Sequence, residues 1–236
     1  LTVKAWLQGD DADLGLLARF FGDGDPRVVQ EEDGYYLAAT DIDSPPGNTP
    51  YYEVARTHLI AINGLGRLID PGFVPVHLTG NYQDGDVVNC VISVPPAIAT
   101  ARFGIPTVTV TNPDGTVVHG PPSAWPARLG LAESNADVAE VLVIVGRAEA
   151  LGWVELYKVH EIIRESVKPA KIPDLGWADK ATDSAFTGSA NLPGVSGSDA
   201  RHARMEGAPK RTMTIEQGRA YISDLVTKWL DHLASP

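Results

Sequence analysis

A stretch near the C-terminal end constrains the fold most. Ile222, Leu225, Val226, Trp229, Leu230 and Leu233 recur at helical spacing and form one continuous apolar face. Thr214 opens the stretch and Gln217 follows it by three residues. That is the spacing at which a cap hydroxyl and a glutamine satisfy each other's free backbone N–H groups. Such a face has to be covered by another element, because leaving it in water costs free energy in proportion to its area. The partners expected are Val138, Val141, Leu142 and Val145, followed by Leu156, Val159 and Ile163. Their period predicts one helix or two broken at Gly152 over 135–168, ended by Pro169 and Pro173.

Upstream the pattern changes. Residues 1–7 alternate, with Val3, Ala5 and Leu7 on one side of a strand. Asp10, Asp11 and Asp13 precede an apolar run to Phe21 and predict a helix over 11–21 with acids at its positive end. They read as caps rather than a cation site, because the spaced ligands and glycine of a calcium loop are absent. RVVQEE and GYYLAAT predict two strands joined at Asp33-Gly34. A helix is predicted over 51–65, stopped by Asn63-Gly64, with Arg56 solvated and His58 at its boundary. Four strands are predicted in FVPVHL, DVVNCVISV, PTVTVTN and GTVVH, with a turn at Asn112-Pro113-Asp114-Gly115. Pro75, Pro95 and Pro106 belong at strand ends or edges. HGPPSAWPARLG, residues 119–130, reads as a boundary. The fold class expected is α+β: a mixed, β-rich module over 1–125, then an α-helical module over 131–236.

Composition excludes several functions. No apolar run approaches the roughly 20 residues that span a bilayer. The N-terminus carries acids where a signal peptide carries its apolar core. Cys90 is the only cysteine, so no intrachain disulfide and no cysteine zinc cluster can form. It is expected to pack as a small buried residue, and the compartment expected is the cytoplasm. Net charge is −11, with 7 basic against 15 acidic residues in 1–130 and 12 against 15 in 131–236. An acidic surface repels phosphate backbones, so broad nucleic-acid binding is disfavoured. The local exception is Arg201-His202-Ala203-Arg204.

That cluster is the candidate site. The Gly/Ser-rich stretch before it, 187–198, is expected to be a loop able to hold an anion, but it lacks the GxxxxGK[ST] pattern of a P-loop. GxSxG is absent, and Ser196, Ser198, Asp199 and His202 lie too close in sequence for an ordinary triad. Arg201, His202 and Arg204 are the expected polar contacts, with Asn191 and Asp199 shaping the loop. Tyr157, His160, Glu161 and Arg164 share one side of a helix and reach a site or simply pack; Tyr157 and Glu161 join the candidate binding set. His77 and His119 are expected to be structural. No metal and no cofactor is expected.

YKVHEIIR (Tyr157–Arg164) on a long helix, a loop carrying ARHAR (Ala200–Arg204), a polar turn and an amphipathic terminal helix together resemble the HEPN helical superfamily, over roughly residues 131–236. The resemblance implies a helical module of the kind found in bacterial defence and toxin–antitoxin systems, where many members cleave RNA without metal. In that family an Arg, usually with a polar residue after it, is followed by a His after four to six residues, and the pair handles the ribose hydroxyl proton. Arg201-His202 matches the first half. Positions 206, 207 and 208 are Glu, Gly and Ala, so the second half is missing. The expectation is therefore a non-catalytic binding protein. Its partner would be a protein, a second copy of itself, or RNA or a nucleotide at the Arg201–Arg204 loop. A metal-independent endoribonuclease with a rearranged site is the alternative.

Overall fold

Five antiparallel strands make the sheet of the N-terminal half, in the order β2 (Arg27–Glu31), β3 (Gly34–Ala38), β1 (Val3–Gln8), β4 (His77–Asp84) and β5 (Val87–Cys90). The computed structural model describes residues 2–91, 110–111, 117–118, 123–147, 150–207 and 209–235. The β2–β3 hairpin turns where expected, with Gly34 at φ +135°, a conformation that favours glycine. The first acids are caps: Asp10 accepts from the Ala12 N–H at the start of α1 (Asp11–Phe21). Asp13 is buried and accepts from the Val74 N–H.

Two expectations fail here for tertiary reasons. The helix begun at Tyr51 does not stop at Asn63-Gly64 but runs to Ile69 as α3, after the short α2 (Thr40–Asp43). Asn63 is buried and acts as a piece of strand: its amide donates to Val76 O at 2.9 Å and its Oδ1 accepts from Val76 N at 3.0 Å. That occupies the backbone of Val76, and Pro75 has no N–H. Of FVPVHL only His77 and Leu78 therefore join a strand, which continues through Asn81 and Tyr82 to Asp84. His58, on α3, pairs with Asp41 at 2.8 Å, and Arg56 reaches Glu53 in an exposed pair.

Cys90 is exposed rather than buried. It sits on β5, the last described strand of the sheet, where Val87 and Val88 also face out. Within the expected strands PTVTVTN and GTVVH, Val110–Thr111 (β6) and Val117–Val118 (β7) pair antiparallel. The turn 112–115, Pro95, Pro106 and His119 lie outside the described residues.

Helices follow. The Pro-rich stretch passes into α4 (Trp125–Ser134), with Pro126 in its first turn, where a missing N–H does no harm. Asn135 caps α5 (Ala136–Val145). α6 (Trp153–Ser166) starts after Gly152 as the two-helix version of the prediction has it, but α5 ends earlier than expected, at Val145, with Gly146 as its C-cap. Then come α7 (Lys180–Asn191), the short α8 (Pro193–Ser196) and α9 (Ile215–Ala234). Thr214 and Gln217 form the capping box, with bonds of 3.3 and 2.9 Å. Ile222, Leu225, Val226, Trp229 and Leu230 are buried and pack chiefly against α6. One apolar cluster runs continuously from Ala5 and Leu17 under the sheet to Trp229. No helix among the described residues is long and apolar enough to cross a membrane.

The α3–α5 contact joins the two halves of that cluster. A Cβ on Gly64 would stand 2.6 Å from Leu142 O, and one on Gly146 would be closer still to Ile60 O. The opposing atoms are backbone and cannot turn aside. Gly64→Ala is expected to destabilise by about 1–3 kcal/mol by forcing the helices apart. A urea unfolding midpoint unchanged by Gly64→Ala contradicts this packing.

Candidate functional site

The candidate loop is closed on a single turn of α7. The 187–198 stretch is not a loop in its first half: α7 runs to Asn191 and α8 follows at once. Asp179 caps α7 through the Ala181 and Thr182 N–H groups, both 2.8 Å away, which starts the short helix the sequence suggests near 178–185; it runs on to Asn191, into the stretch whose Gly/Ser composition reads as loop. The chain then leaves helix, and residues 200–213 return to the same turn. Arg201 N donates to Ala190 O and Met213 N donates to Ser189 Oγ, each at 2.8 Å. Ser189 is fully buried, and its own carbonyl accepts a short bond from Ser196 Oγ. Gly207 lies against Leu192, and Gly188 lies against Pro209. The segment is thus a surface loop with both ends tied down.

Its charges point outward. His202, Arg204, Met205, Lys210 and Arg211 are all exposed. Arg201 is held more tightly: its guanidinium lies 4.3 Å from the Tyr157 ring centroid and 3.6 Å from Glu161 Oε2. Cation–π contact and the ion pair fix its direction. Glu161 also neighbours Arg164, at 3.5 Å. Arg201, Tyr157 and Glu161 are therefore brought together, whereas Arg204 and His202 stand apart from that cluster in solvent. Asp199 is exposed and accepts a long bond from Ser198 Oγ. Asn191 is half-buried, and its Oδ1 has no hydrogen-bond partner among the described residues.

Beneath Tyr157 lies a polar cluster whose central residue the sequence did not single out. His160 Nε2 pairs with Asp183 Oδ1 at 2.7 Å, and Tyr221 OH donates to the same oxygen at 2.8 Å. His160 is 1% exposed, and its Nδ1 has no partner among the described residues. Phe186 packs at a tilt against both His160 and Tyr221, with centroids 5.2 and 5.0 Å away. Burial pushes the Asp183 carboxyl up, but the hydrogen bond and electrostatic pull of His160, with the Tyr221 hydroxyl, outweigh it and leave the group below its ordinary value. Burial first, and the Asp183 charge next, push the Tyr221 phenol well above its usual range. One carboxylate thus joins α6, α7 and α9. His160 was visible as a helical neighbour of Tyr157; Asp183 gave no local signal, because its partners lie 23 and 38 residues away.

Among the described residues no group of three or more His, Cys, Asp or Glu side chains is placed to hold a metal ion. Burial lowers the affinity of His77 for a proton. The site is therefore a cationic loop standing on a buried, aromatic-lined support, in an α+β protein. No family model, curated protein or solved structure matches the chain.

Proposed function

We propose that the chain is a cytoplasmic, non-catalytic binding protein with a HEPN-like helical module of the bacterial defence or toxin–antitoxin type, and that it recognises an acidic protein surface through the 200–213 loop. What supports this is the closure of that loop on Ser189 and Ala190 together with its charge. Arg201, Arg204, Lys210 and Arg211 oppose only Glu206 there, in a chain of net −11. Tying down both ends lowers the ordering cost of binding, and a cationic patch steers an acidic partner toward it. The cations of the patch are exposed, which suits a protein surface better than a small nucleotide. Arg201 orients the loop on Tyr157; Arg204, Lys210 and Arg211 make the contacts. The free, exposed thiol of Cys90 suits a reducing compartment.

Reversing two contact charges, Arg204→Glu with Lys210→Glu, is expected to weaken a salt-sensitive complex re-formed from purified partners by at least about tenfold, with the helical circular dichroism unchanged. Labelled RNA incubated with the protein in EDTA should stay intact. Cleavage that disappears in both Arg201→Ala and His202→Ala would overturn the binding reading in favour of a metal-independent endoribonuclease.

A further inference from the structure

A cavity of about 450 Å³ shares none of its lining residues with the cationic loop. It opens where the C-terminal turn of α3, the segment leading into α6 and the first turns of α9 converge. Its size is that of small-molecule pockets, which are mainly apolar with a few fixed polar groups. The walls are Leu68, Phe73, Leu151, Leu156 and Ile222. Close packing sets their positions: a Cβ on Gly66 would stand 2.8 Å from the Phe73 ring, and one on Gly218 would stand 2.7 Å from the Trp153 ring. The mouth stays open because the residues there, Ala150 and Ala220, are small and exposed.

The polar end is Arg219. Its Nε donates to Leu151 O at 2.9 Å, which fixes the guanidinium plane at the rim. The two terminal nitrogens have no hydrogen-bond partner among the described residues, and no carboxylate there stands within ion-pair distance of them. A fixed guanidinium with two parallel donors suits one carboxylate. Glu216 also lines the cavity but is exposed; its own backbone N–H, Thr214 and, least of these, the Arg219 charge hold its carboxyl below the ordinary value. Arg67, across the cavity, donates to Val145 O at 3.1 Å and has further partners; it closes the wall.

We propose that this cavity binds a small carboxylic acid with an apolar body, its carboxylate on Arg219 and its chain against Phe73, Leu156 and Ile222. A dianionic phosphate fits less well, since among the described lining residues Arg219 is the one cation whose terminal nitrogens are not engaged.

The test is calorimetric titration of the intact protein with decanoate and with decanol, each below its aggregation threshold. Decanoate is expected to bind saturably at one site. Arg219→Gln should weaken decanoate about tenfold or more and leave decanol unchanged. Ala220→Trp, which fills the mouth from an exposed helix position, should abolish both with helical circular dichroism intact. Should that variant misfold, Ser223→Phe serves as the blocking substitution. Absence of saturable decanoate binding overturns the proposal, as does binding that survives Arg219→Gln at full strength. Arg204→Glu should leave decanoate binding unchanged, so this site and the loop stand or fall separately.

Discussion

Asp183→Ala is expected to lower the stability of the protein by about 3 kcal/mol, among the largest effects of any polar substitution in this chain. The carboxylate is the shared acceptor for His160 Nε2 and Tyr221 OH. Removing it leaves a fully buried imidazole and a buried phenol with nothing to bond, and desolvated polar groups without partners carry their full penalty. Asp183→Asn keeps an acceptor oxygen at the same place and should cost clearly less. Equal losses for the alanine and asparagine variants, measured as urea midpoints at neutral pH, would show that shape rather than hydrogen bonding matters here.

The same carboxylate gives a pH signature. Its folded value lies below the ordinary carboxylate value, which is about 4 in an unfolded chain. Its contribution is therefore fully present above pH ~4 and is lost as pH falls through the lower folded value. The wild-type protein should lose stability on acidification in that window, and Asp183→Asn should lose less over the same span. Acid titrations of the two proteins that run parallel would contradict the linkage.

Trp229→Ala is the second large effect, at about 3–5 kcal/mol. Trp229 is completely buried on α9, in the cluster that joins the sheet to the helices. Truncation removes the largest fully buried side chain and leaves a cavity that rigid helices on several sides cannot close. Trp229→Phe should behave differently. The indole Nε1 is buried with no hydrogen-bond partner among the described residues, so phenylalanine keeps most of the apolar burial and removes an unsatisfied donor. A cost of about 1 kcal/mol or less is expected. A phenylalanine variant as unstable as alanine would mean that the indole N–H is bonded.

How much could be read beforehand depended on the range of the interaction. The α9 helix was legible in full because its signals are local: a hydroxyl at Thr214, an amide at Gln217, and apolar residues at helical spacing. The helix over 11–21 and the hairpin at Asp33-Gly34 were legible for the same reason. Asn63-Gly64 reads locally as a stop, yet Asn63 binds the backbone of Val76 and Gly64 admits the backbone of Leu142. Cys90 reads as apolar and buried, but β5 is the last described strand of its sheet. The 187–198 stretch has a loop composition, and the cap that makes its first part helical, Asp179, lies upstream of it.

The candidate loop divides in the same way. Its basic composition is a property of the sequence, and so is the missing histidine downstream of Arg201. That both ends return to one turn of α7, that Arg201 lies over Tyr157, and that Arg219 stands at the rim of an apolar cavity are properties of the packed chain alone. Periodicity, caps and turns act between residues a few positions apart, so a linear pattern encodes them. Pairing such as Asp183 with His160 and Tyr221 requires segments far apart in sequence to meet, and only the packing of α6, α7 and α9 decides which side chains do.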